Sequence, residues 1–157
     1  MIKICVFSDS HGRTEPMIAA VEKEKPALCF FLGDGERDLA SLQARFPRLP
    51  VYAVRGNCDP RSQLSASLVC AAGSVRIFAA HGHQYNVKYE PNLETLTEAA
   101  RRAGASVVLF GHTHRSRLER QGDLLLLNPG TIGRMPHQSY GLLMIEGEKI
   151  RARIVHL

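Results

Sequence analysis

Val107-Val108-Leu109-Phe110-Gly111-His112-Thr113-His114 is an apolar run that stops at a glycine and two histidines one residue apart. Its β-branched and aromatic residues make a short buried strand, and the histidines fall where that strand must end. Side chains at i and i+2 of extended backbone leave on the same side with Cα atoms roughly 6.5 Å apart. His112 and His114 are therefore expected to reach into one pocket. A lone histidine beside a strand is an ordinary polar residue, so the reading depends on what other strands bring to the same edge.

Working outward, the same grammar recurs. Ile2 to Phe7 reads as a strand and runs into Ser8-Asp9-Ser10-His11-Gly12-Arg13. Thr14 is placed as the N-cap of a helix with Met17, Ile18 and Val21 on its apolar face, ended by Lys25-Pro26. Ala27 to Leu32 is an almost unbroken apolar run, as for a strand covered on both faces, and stops at Gly33-Asp34-Gly35. Leu39, Leu42 and Phe46 mark a second helix. Pro50 to Val54 gives a third strand, closed by Arg55-Gly56-Asn57-Cys58-Asp59-Pro60. These units predict βαβ connections and a largely parallel sheet.

Then the pattern changes. Leu64 to Ala71 and Ser74 to Ala80 read as a hairpin about Ala72-Gly73, ending in His81-Gly82-His83. A third helix opens near Pro91-Asn92 and stops at Gly104. Beyond His114 the chain is β-rich: Leu118 and Leu124 to Leu127 flank Gly122-Asp123, and Tyr140 to Ile145 and Ile150 to Val155 flank Gly147. The expected architecture is a four-layer α/β/β/α sandwich, two mixed sheets face to face with helices outside. Nothing marks a linker or repeat, so residues 1–157 are expected to form one domain.

Composition narrows the function classes. A formal charge of +5 and a pI near 9.3 favour anionic, phosphorylated partners. No basic stripe is interleaved with aromatics, which argues against nucleic acid as the main partner. No apolar stretch nears the ~18 residues of a membrane span, and no leader pattern is visible at the start. Cys5, Cys29, Cys58 and Cys70 lack CxxC spacing, so a disulfide scaffold is not expected and the cytoplasm is. No GxGxxG or Walker lysine signals a nucleotide-binding module.

Five strand ends thus carry Asp9 and His11, Asp34, Asn57, His81 and His83, and His112 and His114, each with a glycine nearby. Ligands of open α/β sheets bind outside the carboxyl ends of strands, where such loops meet. Imidazole, carboxylate and amide donors in this number exceed one tetrahedral ion and suit two ions with open positions.

The ordered series Asp9-Ser10-His11, Gly33-Asp34, Gly56-Asn57-Cys58-Asp59, His81-Gly82-His83 and Gly111-His112-Thr113-His114, with the later Asn128-Pro129-Gly130-Thr131 turn, resembles the calcineurin-like metallophosphoesterases. It most resembles their small YfcE-like phosphodiesterase branch. The resemblance implies a binuclear metal centre: Asp9, His11 and His114 on one ion, Asn57, His81 and His112 on the other, and Asp34 bridging through its two oxygens. It also implies phosphodiester hydrolysis by attack of a metal-bridging hydroxide, with Asp34, Asn57, Cys58, His81 and His83 in the catalytic set. Mn²⁺ is the expected ion, with Fe²⁺, Ni²⁺, Co²⁺ or Zn²⁺ also compatible with these donors.

Cys58 departs from the wider superfamily, which places a histidine after the asparagine to assist the leaving group. A neutral thiol does that poorly, so diesters with good leaving groups are expected over alkyl monoesters; a plain packing role for Cys58 stays open. His83 is expected to orient a ligand or touch substrate. Asp59 either hydrogen-bonds a metal-bound imidazole or caps its loop. Arg13, Arg61, Arg115 and Arg134 are candidates to meet phosphate, although each alone reads as surface charge. Asn128-Pro129-Gly130 is expected to shape a turn near the site. The alternative to an enzyme is a binding scaffold of the same fold, as in the retromer subunit, but such a scaffold tolerates a degraded metal centre and here every ligand position is filled. A metallo-β-lactamase-type site is set aside because Arg115-Ser116 follow His114.

Overall fold

A computed structural model describes residues 1–157. Ten strands and three α-helices follow in the order β1 Ile2–Phe7, α1 Glu15–Glu24, β2 Leu28–Phe31, α2 Glu36–Arg45, β3 Val51–Ala53, β4 Ser67–Ala72, β5 Val75–Ala80, α3 Glu94–Arg102, β6 Val107–Leu109, β7 Arg117–Gln121, β8 Leu124–Asn128, β9 Ser139–Glu146 and β10 Lys149–His156. A single 3₁₀ turn, His83–Tyr85, follows β5 and had no sequence signal. The strands form two five-stranded sheets, β10-β9-β1-β2-β3 and β4-β5-β6-β8-β7. Both are mixed. In the first, β1, β2 and β3 are parallel as expected, and β9 adds an antiparallel neighbour to β1.

The four layers follow from period-two alternation along apolar strands. Ile4, Val6, Phe30 and Leu32 face Ile77, Ala79, Val107, Leu109, Leu125 and Leu127 in the core between the sheets. The intervening Cys5, Phe7, Cys29 and Phe31 turn outward onto Met17 and Val21 of α1 and Leu39 and Leu42 of α2. On the other sheet Phe78, Val108, Phe110, Leu124 and Leu126 turn onto Leu96 and Ala100 of α3. A one-residue slip would exchange the two faces of any strand and move its side chains from one core to the other.

Two local readings differ from expectation. The first hairpin turns at Gly73-Ser74, one residue later than the sequence suggested, because Ala72 still pairs with Val75. Thr14 precedes α1 but makes no side-chain cap; its hydroxyl donates instead to Asp38 Oδ1 at 3.2 Å. No helix is long and apolar enough to cross a membrane.

A candidate metal centre where the two sheets meet

β1, β2 and β3 from one sheet and β5 and β6 from the other end at the same place, and their loops are stitched together. Asp9 N donates to Gly33 O and His11 N to Asp34 O, extending the β1–β2 pairing, while Gly111 N donates to His81 O. Among the bonds that cross between sheets, His112 N donates to Asp9 Oδ2 at 3.1 Å, and His81 Nδ1 lies 2.6 Å from Leu32 O. The second contact requires the proton on Nδ1, leaving His81 Nε2 as the lone-pair donor.

Each carboxylate is anchored by one oxygen and presents the other. Asp9 Oδ2 accepts from Ser8 Oγ and His112 N, so Oδ1 faces His114 Nε2 at 3.1 Å, His11 Nε2 at 3.6 Å and His81 Nε2 at 3.8 Å. Asp34 Oδ1 accepts from Cys58 N at 2.8 Å, so Oδ2 faces His81 Nε2 at 3.3 Å and His11 Nε2 at 3.8 Å. This refines the expected bridge: one oxygen of Asp34, rather than two, looks toward both histidine groups. Asn57 Oδ1 stands 3.0 Å from His81 Nε2. Two donor groups result, Asp9 with His11 and His114, and Asp34 with His81 and His112; His11, Asp34 and Cys58 form a third grouping between them.

These distances fit divalent ions. Adjacent ligands of an octahedral ion with bonds of about 2.1 Å lie about 3 Å apart. Asp9 Oδ1, His11 Nε2 and His114 Nε2 are separated by 3.1, 3.2 and 3.6 Å. Three lone-pair donors converging this closely repel unless a proton or cation sits among them.

The backbone is bent to achieve this. Asp9, His11, Asp34, His112 and His114 all have positive φ, between 44° and 70°. Left-handed backbone costs a non-glycine residue about 1 kcal/mol or more, and such strain gathers at functional sites. It also overturns the extended-strand reason for pairing His112 with His114: the two lie in a tight turn and point to different donor groups. Gly111 makes that turn possible, since a Cβ there would strike Ser8 Oγ and lie 2.9 Å from Asp9 Oδ2.

Electrostatics match the geometry. Burial alone raises the Asp9 carboxyl, but the imidazoles of His11, His114 and His81 and the Ser8 hydroxyl hold it well below the usual range. Asp34 is likewise raised by burial and brought down, on balance, by His81 and the Cys58 N–H. Burial lowers His81, and Asp34 and Asp9 more than offset it, so its pKa is raised. His112 is pushed down to about 4 by burial and by the charges of His81 and Lys88. Desolvation and the Asp34 charge raise Cys58, which keeps the exposed thiol neutral.

Supporting residues went partly unread in the sequence. Asp59 touches no imidazole; it accepts from the N–H groups of Asp34, Gly56, Gly35 and Glu36 at 2.7 to 3.3 Å, capping α2 and fixing the Asp34 loop. Buried Asp38, unremarked in the sequence, accepts from Ser10 Oγ, Gly12 N and Thr14 Oγ1 and ties the His11 loop to α2. Asn128 Nδ2 donates to Gly111 O and Thr113 Oγ1, so the Asn-Pro-Gly turn braces the histidine loop directly. Thr131 Oγ1 donates to Asp9 O at 2.7 Å. His83 packs its ring 5.4 Å from that of His81, and its buried Nδ1 has no partner. Arg13, Arg61, Arg115 and Arg134 are all exposed.

Residues 2–148 match the family model described as the calcineurin-like phosphoesterase superfamily domain. The chain is 34% identical to the probable metallophosphoesterase YsnB of Bacillus subtilis, over 97% of this chain and 89% of that protein. It is 29% identical to the phosphodiesterase YfcE of Escherichia coli, over 91% and 88%. Among solved structures, Vps29 of Entamoeba histolytica complexed with zinc superposes with a TM-score of 0.78 over 99% of both chains at 20% identity, a likeness of fold alone.

Proposed function

Since this chain belongs to the calcineurin-like phosphoesterase superfamily and is a metal-dependent phosphoesterase, we propose that it hydrolyses phosphodiesters and falls in the small YfcE-like branch. Asp9, His11 and His114 would hold one divalent ion and Asn57, His81 and His112 a second, with Asp34 shared between them. The observation that carries this is the convergence of Asp9 Oδ1, His11 Nε2 and His114 Nε2 beside Asp34 Oδ2. Bound divalent ions supply an acidified water as nucleophile and positive charge to offset the phosphoryl oxygens. Mn²⁺ is the proposed ion, because carboxylate and amide oxygens accompany the imidazoles.

The chain's own residues set up that chemistry. Ser8 and the His112 N–H fix the rotamer of Asp9, and the Cys58 N–H fixes that of Asp34, so both carboxylates arrive oriented. Leu32 O selects the His81 tautomer with a free Nε2. Cys58 stands exposed beside Asp34 as a neutral thiol, able to donate a weak hydrogen bond but not to stabilise an alkoxide as an imidazolium does. That favours diesters whose leaving groups need no protonation. A filled donor set favours the enzyme over a scaffold. The four free cysteines suit a reducing compartment, and the cytoplasm is proposed.

The test is parallel turnover of an aryl phosphodiester, an aryl monoester and an alkyl monoester with added Mn²⁺, using Asp34→Asn as the blank. The diester should be hydrolysed fastest, and Cys58→His should shift the ratio toward monoesters. An unchanged ratio would remove Cys58 from the explanation, and full activity in Asp34→Asn would sink the two-metal reading.

A further inference from the structure

A cleft of about 620 Å³ opens beside the His112–His114 turn, and its wall includes Thr113 between the two histidines. The opposite wall is the loop after the His83–Tyr85 turn. Its size suits a ligand of mononucleotide dimensions rather than a polymer. Its cations are Lys88, Arg115 and Arg117, and its one carboxylate is Glu90. Two of these four charges are already committed. Glu90 accepts from Thr95 N and Thr95 Oγ1 at 2.8 and 2.7 Å, and Arg117 Nη2 donates to Pro91 O and Glu119 Oε1, both at 2.7 Å. Lys88 and Arg115 carry no ion pair and face the cleft.

The aromatic residue of the cleft is equally unaccounted for. Of the four tyrosines, Tyr52, Tyr85 and Tyr140 each pack on a phenylalanine ring. Tyr89 packs on none and is 83% exposed. It is nonetheless held in place: Tyr89 N and Glu90 N both donate to Asn86 O, and the Glu90 contacts tie the loop to the start of α3. A solvent-facing ring on a hydrogen-bonded loop beside unpaired cations offers a stacking platform with phosphate partners at hand.

We propose that this cleft binds the nucleotide portion of a phosphodiester substrate, with the base stacked on Tyr89 and a second phosphate, beyond the scissile one, held by Lys88 and Arg115. The assignment rests on the phosphodiesterase reading, and the cleft adjoins the metal centre through the His112–His114 turn, with Thr113 in its wall and none of the seven donor side chains. It names the substrate class that reading leaves open: small nucleotide diesters carrying an additional phosphate.

Two chromogenic esters with one leaving group test it on the Mn²⁺-loaded protein: bis(p-nitrophenyl) phosphate, and the p-nitrophenyl ester at the 5′-phosphate of thymidine 3′,5′-bisphosphate. Tyr89→Ala, and Lys88→Ala with Arg115→Ala, should each lower the kcat/KM preference for the nucleotide ester about tenfold, mostly through KM, as loss of one stacked base or one phosphate contact does. Equal effects on both esters, or none, overturn the proposal. Calorimetric titration with adenosine 3′,5′-bisphosphate gives a readout that needs no turnover, and binding should weaken in the same variants. Hydrolysis of both esters with bisphosphate binding unaffected by the variants sinks the cleft and leaves the phosphodiesterase standing. Bisphosphate binding that depends on Tyr89 and Lys88, without hydrolysis of either ester, supports the cleft and sinks the phosphodiesterase.

Discussion

His11 and His114 meet nitrogen to nitrogen, with their Nε2 atoms 3.2 Å apart and Asp9 Oδ1 3.1 Å from His114. Two imidazole nitrogens and a carboxylate oxygen at that spacing need a proton or a cation among them, and a divalent ion meets all three at once. Metal binding should therefore stabilise the fold. At a hundredfold excess over Kd each site contributes about 2.7 kcal/mol, which for a chain of this size raises Tm by about 5–10 °C. Differential scanning calorimetry with and without chelator checks this, and an unchanged Tm would mean that no ion binds there. His114→Ala should cost one metal per chain and His112→Ala the other, as counted by mass spectrometry.

Asp34 turns its free oxygen between the two groups, 3.3 Å from His81 and 3.8 Å from His11, while Asp9 Oδ1 sits nearer the first group, 3.1 Å from His114 and 3.8 Å from His81. Asp34→Asn keeps the shape and the Cys58 N–H contact while removing the charge. Turnover should fall by about 100-fold or more, the scale of losing a charged metal partner, with the metal count dropping below two and Tm without metal little changed. Retention of both ions would show that Asp34 is not shared.

Metal uptake should release protons near neutral pH, and His81 identifies the source. Its pKa is raised, so in the metal-free protein Nε2 keeps its proton to higher pH than a free imidazole does, and an ion must displace it. Asp9 and Asp34 are lowered and already ionised, and His112, at about 4, is already neutral. The sign follows: affinity for metal falls as pH drops through the raised His81 pKa, and proton release fades as pH rises above it. Calorimetric titration in two buffers of different ionisation enthalpy measures the release. None at pH 6.5, the ordinary imidazole value, would contradict a raised His81 pKa.

Much of this was legible because strands buried on both faces read as apolar runs, and what interrupts them is conspicuous. Asp9, Asp34, His81 and His112 each stand just past such a run, and Asn57 follows the half-exposed β3, so the sequence exposed both the sheets and the candidate donors. Three features were hidden. The left-handed backbone at Asp9, His11, Asp34, His112 and His114 is imposed by bonds between loops far apart in sequence, such as His112 N to Asp9 Oδ2. Asp38 lies on α2, where a carboxylate reads as a solvated surface residue, and only folding brings the His11 loop onto it. Asp59 offered two roles from sequence, and the choice depended on where the N–H groups of Asp34 and Gly56 come to lie.

Asn128 tests whether the histidine turn must be held from behind. Its side chain touches no expected ligand atom, yet Nδ2 donates to Gly111 O at 3.1 Å and Thr113 Oγ1 at 3.0 Å, and Oδ1 accepts from Gly130 N at 2.9 Å. All three contacts are at the buried end of β8, so Asn128→Ala leaves Gly130 N without a partner and Gly111 O with the Thr113 N–H alone, at a cost of about 1–3 kcal/mol. The His112–His114 turn, already in a costly conformation, should then relax toward ordinary backbone. Metal affinity should fall about 10- to 100-fold, with two ions still bound and turnover recovered at saturating Mn²⁺. Activity that stays low at saturation would instead place Asn128 in the reaction itself, and unchanged affinity would show that Asp9 alone holds the turn.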